Sequence, residues 1–109
     1  MNNLNSVLIE GLVIADPELS YSESGAAVCR FKVASHRAYK EEEQAVEEVS
    51  HFDIATHVRL AEVCAEYLKK GRGVRIVGRL KQDGEKVLIE AEHVEFKPLK
   101  KGAKERDSK

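Results

Sequence analysis

One segment of this sequence has the period of an amphipathic helix, and it lies between stretches that alternate like β-strands. From about Val58 to Lys70, apolar residues recur at spacings of three and four and form a single stripe. Gly71 suits the left-handed residue that follows a helix end, and Lys69 and Lys70 occupy the last turn, where the helix dipole favours cations. A lone helix set among strands indicates a mainly β domain.

Alternation of apolar and polar residues predicts five strands. They cover about residues 5–14, 27–34, 49–56, 74–81 and 86–96. In the second strand the odd-numbered residues are apolar and should face the core, which places Arg30 and Lys32 together on the outside. Asp83-Gly84 predicts a tight hairpin between the last two strands. The acidic run 41–48 lacks clear strand periodicity and is predicted to be a solvated loop or a hairpin tip.

The order of these elements is strand–strand–strand–helix–strand–strand, which is the order of an OB-fold. We therefore predict an all-β domain, a five-stranded Greek-key barrel with one α-helix between its third and fourth strands. Residues 1–98 would form this domain, and residues 99–109 would be a basic, disordered tail. A domain of this size buries a modest core, so association with other copies would be an ordinary source of stability.

Composition and motifs exclude several classes of function. The net charge is −1, and because residues 97–109 contribute +4, the remainder carries −5 and is not a strongly basic nucleic-acid binder. No apolar run reaches the ~20 residues of a membrane span and no secretory signal is apparent, so a cytoplasmic protein is expected. Cys29 and Cys64 should be reduced core residues. The spacing of the histidines and cysteines predicts no metal site, no cofactor is expected, and the absence of catalytic motifs predicts no enzyme.

Binding of single-stranded nucleic acid needs cations that follow the phosphates and flat rings on which bases stack. The candidate cations are Arg30, Lys32, Arg37, Lys40, Arg59, Lys70, Arg75, Arg79 and Lys81. Four of the six Phe and Tyr residues are assigned to core or edge packing, and these are Phe31, Phe52, Tyr67 and Phe96. Tyr39 is the best stacking candidate, and His51 and His57 are further flat groups. The alternative for any one cation is an exposed charge that only keeps the sheet soluble.

Four blocks of this sequence resemble the bacterial single-stranded DNA-binding protein family in order and spacing. They are Asp16-Pro-Glu-Leu-x-Tyr21, Ser24-Gly25-x-Ala27-Val28-Cys29-x-Phe31, Leu60-Ala61-Glu62 with Lys70-Gly71, and Val77-Gly78-Arg79-Leu80. The resemblance covers roughly residues 5–96. It implies an OB-fold that assembles, usually as a homotetramer, and binds single-stranded DNA during replication, recombination and repair.

The resemblance also assigns binding positions. A stacking aromatic of the family corresponds to Tyr39, and a lysine at the helix start corresponds to Arg59. A family tryptophan, arginine and phenylalanine correspond to His51, Asp53 and His57, so three of the family's contacts are replaced. The long arm between the last two strands is reduced to a tight hairpin. The glycine-rich linker and acidic C-terminus through which family members recruit partner proteins have no counterpart in the sequence.

The main hypothesis is a cytoplasmic, nucleoid-associated OB-fold protein that binds single-stranded DNA without sequence preference. It would act as a homo-oligomer, tetramer or dimer, and bind more weakly than relatives with a full set of rings. The alternative is an interaction module resembling the dimeric primosomal relatives, which would contact replication or repair proteins and bind DNA weakly. Single-stranded RNA is a third possibility, since OB grooves often accept either sugar.

Overall fold

The structure is a computed structural model, and it describes residues 1–98. Its elements are β1 (Val7–Val13), β2 (Glu18–Tyr21), β3 (Ala27–Glu41), β4 (Gln44–His57), α1 (Val58–Tyr67), β5 (Gly73–Asp83) and β6 (Lys86–Phe96). No helix within this range is long and apolar enough to cross a membrane. The predicted basic tail, residues 99–109, lies outside the described residues.

Five of the six strands close into a barrel. The sheet order is β1-β5-β6-β4-β3-β2, and a further pairing of β1 with β3 joins its two sides. β1 runs antiparallel to β5 along most of its length, and at its end Leu12 and Val13 pair with Ala34 and Val33 of β3. β4 and β6 form the one parallel pair among the described strands. This arrangement, with α1 between β4 and β5, confirms the predicted OB-fold.

The strand β2 was not predicted, since the sequence indicated only a turn after Pro17. Glu18–Tyr21 pairs antiparallel with β3, from Glu18 opposite Arg30 to Tyr21 opposite Ala27. The end of β1 and the whole of β2 therefore share one edge of β3. The backbone bends between them at Ala15, and Pro17, which cannot donate to a sheet ladder, lies directly before β2.

Of the two alternatives predicted for the acidic run, the hairpin tip agrees with the structure and the solvated loop does not, because most of the run belongs to β3 and β4. β3 and β4 pair without interruption from Val28 opposite His57 to Glu41 opposite Gln44. Only Glu42 and Glu43 form the turn, and both have positive φ, as two-residue hairpin turns require. The outer half of the hairpin projects beyond the barrel as a two-stranded arm, residues 35–50, in which most side chains are exposed.

The helix is shorter than its sequence pattern indicated. α1 ends at Tyr67, because Leu68 already has an extended backbone. Lys69 and Lys70 were predicted to occupy the last turn of the helix, but they lie beyond its end. The backbone N–H of Lys70 donates to Asp16 Oδ1 at 3.0 Å, which ties this segment to the loop after β1. Gly71 does have the expected left-handed backbone, with φ of 94°.

The core lies between the inner face of the barrel and α1. The odd-numbered residues of β3 from Ala27 to Val33 face inward as predicted and are buried. Cys29 and Cys64 are free and fully buried, and burial raises the pKa of Cys64 to about 11, so the thiol is protonated at neutral pH. Of the four aromatic residues assigned to core or edge packing, Tyr67 and Phe52 are not core residues, because 57% of Tyr67 and 36% of Phe52 are exposed.

Candidate nucleic-acid interface

An open pocket of about 370 Å³ lies across the barrel where the loop after β1, strands β3 and β4, and the β5–β6 hairpin meet. OB-folds bind oligonucleotides on this combination of two strands and two loops. Its charged walls include Arg30 and Lys32, and Phe31, Ile54 and Leu88 also line it, although all three are buried. The remaining lining residues are Ala15, Asp16, Glu18, Asp53, Asp83, Lys86 and Val87.

The strand register extends this site across four strands on the outside of the barrel. Arg30 of β3 lies opposite Ala55 of β4, Ala55 lies beside Glu90 of β6, and Glu90 lies opposite Arg79 of β5. Residues directly opposite each other point to the same side of a sheet. We call the surface formed by Arg30, Lys32, Asp53, Arg79, Lys81 and Glu90 the mixed-charge face.

Two cations of the mixed-charge face are paired with acids at the pocket. Lys32 Nζ lies 3.2 Å from Asp53 Oδ1, and these two residues are also opposite each other in the β3–β4 ladder. Arg30 Nη1 lies 3.5 Å from Asp83 Oδ2 at the β5–β6 hairpin. All four side chains are about half exposed. These are therefore weak surface ion pairs that a phosphate can compete with.

Glu90 is the common partner of the other cations. Its carboxylate lies 2.9 Å from His57 Nε2, 3.0 Å from Arg79 Nη2 and 3.9 Å from Lys81 Nζ. Only 15% of the Glu90 side chain is exposed, whereas each of its three partners is more than a third exposed. The carboxylate of Glu90 is thus nearly buried, and the side chains around it, those of His57, Arg79 and Lys81, are accessible to solvent.

Tyr39 and Arg37 do not lie on the same side of the sheet as Arg30 and Lys32. The β3–β4 register has no bulge, so even-numbered and odd-numbered residues of β3 point to opposite sides throughout. Arg37 Cζ lies 4.5 Å from the centre of the Tyr39 ring, and Arg37 also pairs with Glu48. The candidate residues Tyr39 and Arg30 therefore lie on opposite sides of the β3–β4 hairpin and do not share one surface of it. Lys40 shares the side of Lys32 but lies at the tip of the arm.

Arg75 belongs to a separate charge network. Its Nε donates to Glu10 Oε2 at 2.8 Å, and its Nη1 donates to Glu95 Oε1 at 3.2 Å. Lys97 Nζ lies 3.6 Å from the other Glu10 oxygen. The hydrogen bond from Arg75, helped by the charges of Lys97 and Arg75, lowers the pKa of Glu10 below its usual value. This network occupies β1 and the end of β5 distant from the hairpin.

The remaining predicted residues lie at the margins. Arg59 is exposed on the first turn of α1, and Lys70 lies beside Asp16 at the rim of the pocket. His51 is exposed on β4 opposite Ala34. Lys86 was missed by the sequence reasoning, although its position directly after the hairpin turn could have identified it. Within residues 1–98 no cluster of three or more potential ligands could hold a metal ion.

Fold and site together define an OB-fold protein with an oligonucleotide-type binding surface. Residues 4–95 match the single-strand binding protein family, and the chain belongs to that family. A single-stranded DNA-binding protein of Treponema pallidum is 43% identical over 82 residues, which are 75% of this chain and 47% of that protein. The chain spans about half the length of the curated relatives it matches.

Solved structures agree with this assignment. The wild-type single-stranded DNA binding protein from Thermus aquaticus superimposes with a TM-score of 0.77 and 29% identity, over 87% of this chain and 50% of that one. A Plasmodium falciparum SSB complex with ssDNA gives a TM-score of 0.80 over 90% of this chain and 98% of that one; at 18% identity it supports the fold alone. Members of the family are binding proteins and not enzymes, which confirms that prediction.

Proposed function

We propose that this chain binds single-stranded DNA without sequence preference, in replication, recombination and repair. The observation that carries the proposal is the pocket between the β1–β2 loop, β3, β4 and the β5–β6 hairpin, which is lined by the exposed cations Arg30, Lys32 and Lys86 and by the exposed side chain of Val87. Exposed cations can follow a phosphate backbone, and contacts of this kind do not depend on base identity. The relatives and solved structures named for single-stranded DNA binding support the same function.

The salt dependence of binding tests the electrostatic part of this proposal. Each phosphate neutralised on a single strand contributes about −0.7 to the slope of log affinity against log salt, so four contacts give up to about −2.8. We expect a fluorescein-labelled dT oligomer to bind with anisotropy that decreases as salt increases. No binding at ~50 mM salt, or affinity that does not change with salt, would contradict the proposal.

Tyr39 is proposed to add a stacking contact from the arm. Its ring is half buried and covered on one side by Arg37, so one face of the pair remains available to a base. We expect Tyr39→Ala to weaken dT binding about fivefold, near the low end of the ~1–3 kcal/mol per stacked base. Tyr21→Ala on β2, which removes an exposed tyrosine distant from the arm, is the matched control. Equal affinities of the two variants would remove Tyr39 from the site.

A protein-interaction module is the second candidate. The observation that favours it is the pairing of the face's cations with Asp53, Asp83 and Glu90, which leaves little uncompensated positive charge. Such a module would bind DNA too weakly to be detected at ~50 mM salt, so the titration above separates the two functions. The partners would then be replication or repair proteins.

A homo-oligomer is proposed for either function. Leu8 and Leu12 project from the outside of β1 with 70% and 46% exposure, on a strand whose inner residues are packed in the core. Apolar side chains exposed together on one strand commonly mark an association surface. Mass measurement in solution tests this, and a mass of 12.2 kDa would show a monomer. Nucleoid association in the cytoplasm follows from the proposed DNA binding.

A further inference from the structure

We propose that Asp53 and Glu90 are internal competitors for the cations of the mixed-charge face, so that DNA binds by displacing carboxylates from Lys32, Arg79 and Lys81. This inference rests on the proposed DNA binding and concerns how the same site is regulated. It explains a feature that phosphate binding alone leaves unexplained, namely acids within reach of every cation on the face.

The charge balance of the face is the first step. Its four permanent cations are Arg30, Lys32, Arg79 and Lys81, and the carboxylates paired with them are Asp83, Asp53 and Glu90. Four positive charges thus meet three negative ones before DNA arrives. Glu92 lies 3.7 Å from Arg79, and its negative charge offsets the one positive charge that remains. The face presents almost no net positive potential, in contrast to the basic grooves that attract nucleic acid in solution.

In the ion pairs of the mixed-charge face, a DNA phosphate can replace the carboxylate as the partner of the cation. Lys32 and Asp53 are each about half exposed, which makes their attraction weak and open to solvent. Glu90 Oε1 is buried and accepts no well-aligned hydrogen bond from any residue in the described range, although Arg79 Nη2 lies 3.0 Å away. Arg79 and Lys81 are therefore held mainly by charge, and when they turn to a phosphate, His57 Nε2 still lies 2.9 Å from the other oxygen of Glu90.

Exchange has a measurable signature in the salt dependence. A cation that binds phosphate releases counterions from DNA, but the carboxylate it leaves behind takes up a counterion of its own. The net release per contact is therefore smaller than the ~0.7 expected for a free cation on a single strand. We expect a shallower slope for the natural chain than the number of its phosphate contacts would give.

The decisive variant is Asp53→Asn, which keeps the size and exposure of the side chain and removes its charge. Labelled dT should bind about two- to fivefold more tightly, the range of a surface ion pair. The salt slope should become steeper by up to about 0.7. Glu66→Gln, an exposed residue on α1 with no ion pair in the described range, makes the same charge change elsewhere and should alter neither quantity.

A double-mutant cycle with Lys32 separates competition from a structural effect. If Asp53 acts by holding Lys32, the gain from Asp53→Asn is smaller in a Lys32→Gln background, where only the direct repulsion between Asp53 and phosphate is removed. Glu90→Gln tests the second competitor, and because Glu90 is nearly buried, circular dichroism must show that this variant folds; if it does not, the Asp53 cycle decides.

The outcomes distinguish this inference from the proposed function. No dT binding by the natural chain or by any variant overturns the proposed function and the inference with it. Binding by the natural chain, with Asp53→Asn no tighter than Glu66→Gln, overturns the inference alone. A gain that is equally large in the Lys32→Gln background also overturns it, because Asp53 would then act independently of Lys32.

Discussion

Gly11→Ala is expected to destabilise the fold by about 3 kcal/mol or more, because the new methyl group would enter the closure of the barrel. An added Cβ would lie 2.6 Å from Val33 Cγ1 and 2.9 Å from the Ala34 carbonyl carbon, and it would overlap the Ala34 carbonyl oxygen. These atoms belong to the β1–β3 pairing that joins the two sides of the sheet. Backbone atoms cannot move aside as a flexible side chain can, so the β1–β3 pairing that closes the barrel must distort.

Gly73→Ala is the matched control for this prediction. The nearest atoms to an added Cβ there are 3.5 and 3.6 Å away and belong to the flexible Lys97 side chain. Far-UV circular dichroism during heating should show the melting temperature of Gly11→Ala reduced by about 12 °C or more, at ~4–8 °C per kcal/mol for a domain of this size. Similar melting temperatures for the two variants would contradict the prediction, because they would show that the β1–β3 pairing accommodates an added methyl group at Gly11.

The sequence was sufficient for the barrel because its strands are half buried. Alternation marks one face of a strand whenever the other face meets solvent, and the single helical period then located α1. What alternation could not reveal was the short strand β2, whose four residues are all exposed and carry no burial pattern. The length of α1 was overestimated because Leu68 is buried although its backbone is extended. Its apolar side chain continued the helical stripe past the true end.

The arm was missed for a related reason, and this affected the site. Residues 35–50 extend beyond the barrel with both faces largely in solvent, so hydrophobic alternation stops although the β-ladder continues. Ending the second strand at residue 34 made Tyr39 a free loop residue that could join Arg30. In an unbroken strand, their odd and even positions place them on opposite sides.

The ion pairs of the mixed-charge face depend on strand register, which the sequence does not specify. Arg30 and Lys32 were correctly predicted to share the outside of β3. That Asp53 lies opposite Lys32, and Glu90 opposite Arg79, follows only from the observed pairing. A shift of one residue would send each acid to the other side of the sheet. The candidate cations could thus be found from sequence, but their neutralisation could not.

Replacing Arg30 and Lys32 together by glutamine is expected to weaken dT binding about tenfold or more and to make the salt slope shallower by up to about 1.4. Both cations line the pocket, so their loss removes two phosphate contacts from its centre. It also leaves Asp53 and Asp83 unpaired and facing the DNA, where they repel phosphate. Anisotropy titrations of labelled dT at several salt concentrations measure both quantities.

Arg75→Gln with Lys97→Gln is the control that decides whether location or total charge is responsible. It removes one arginine and one lysine that, like the first pair, are bound to exposed carboxylates, here Glu10 and Glu95. Arg75 lies four residues along β5 from Arg79, about 13 Å away, which exceeds the ~10 Å screening length at 0.1 M salt. We expect the affinity of this variant to remain within about twofold of the natural chain, since contributions beyond that length are largely screened. A loss equal to that of the pocket pair would move the DNA path onto β1 and the far end of β5, and would remove the pocket as the centre of the site.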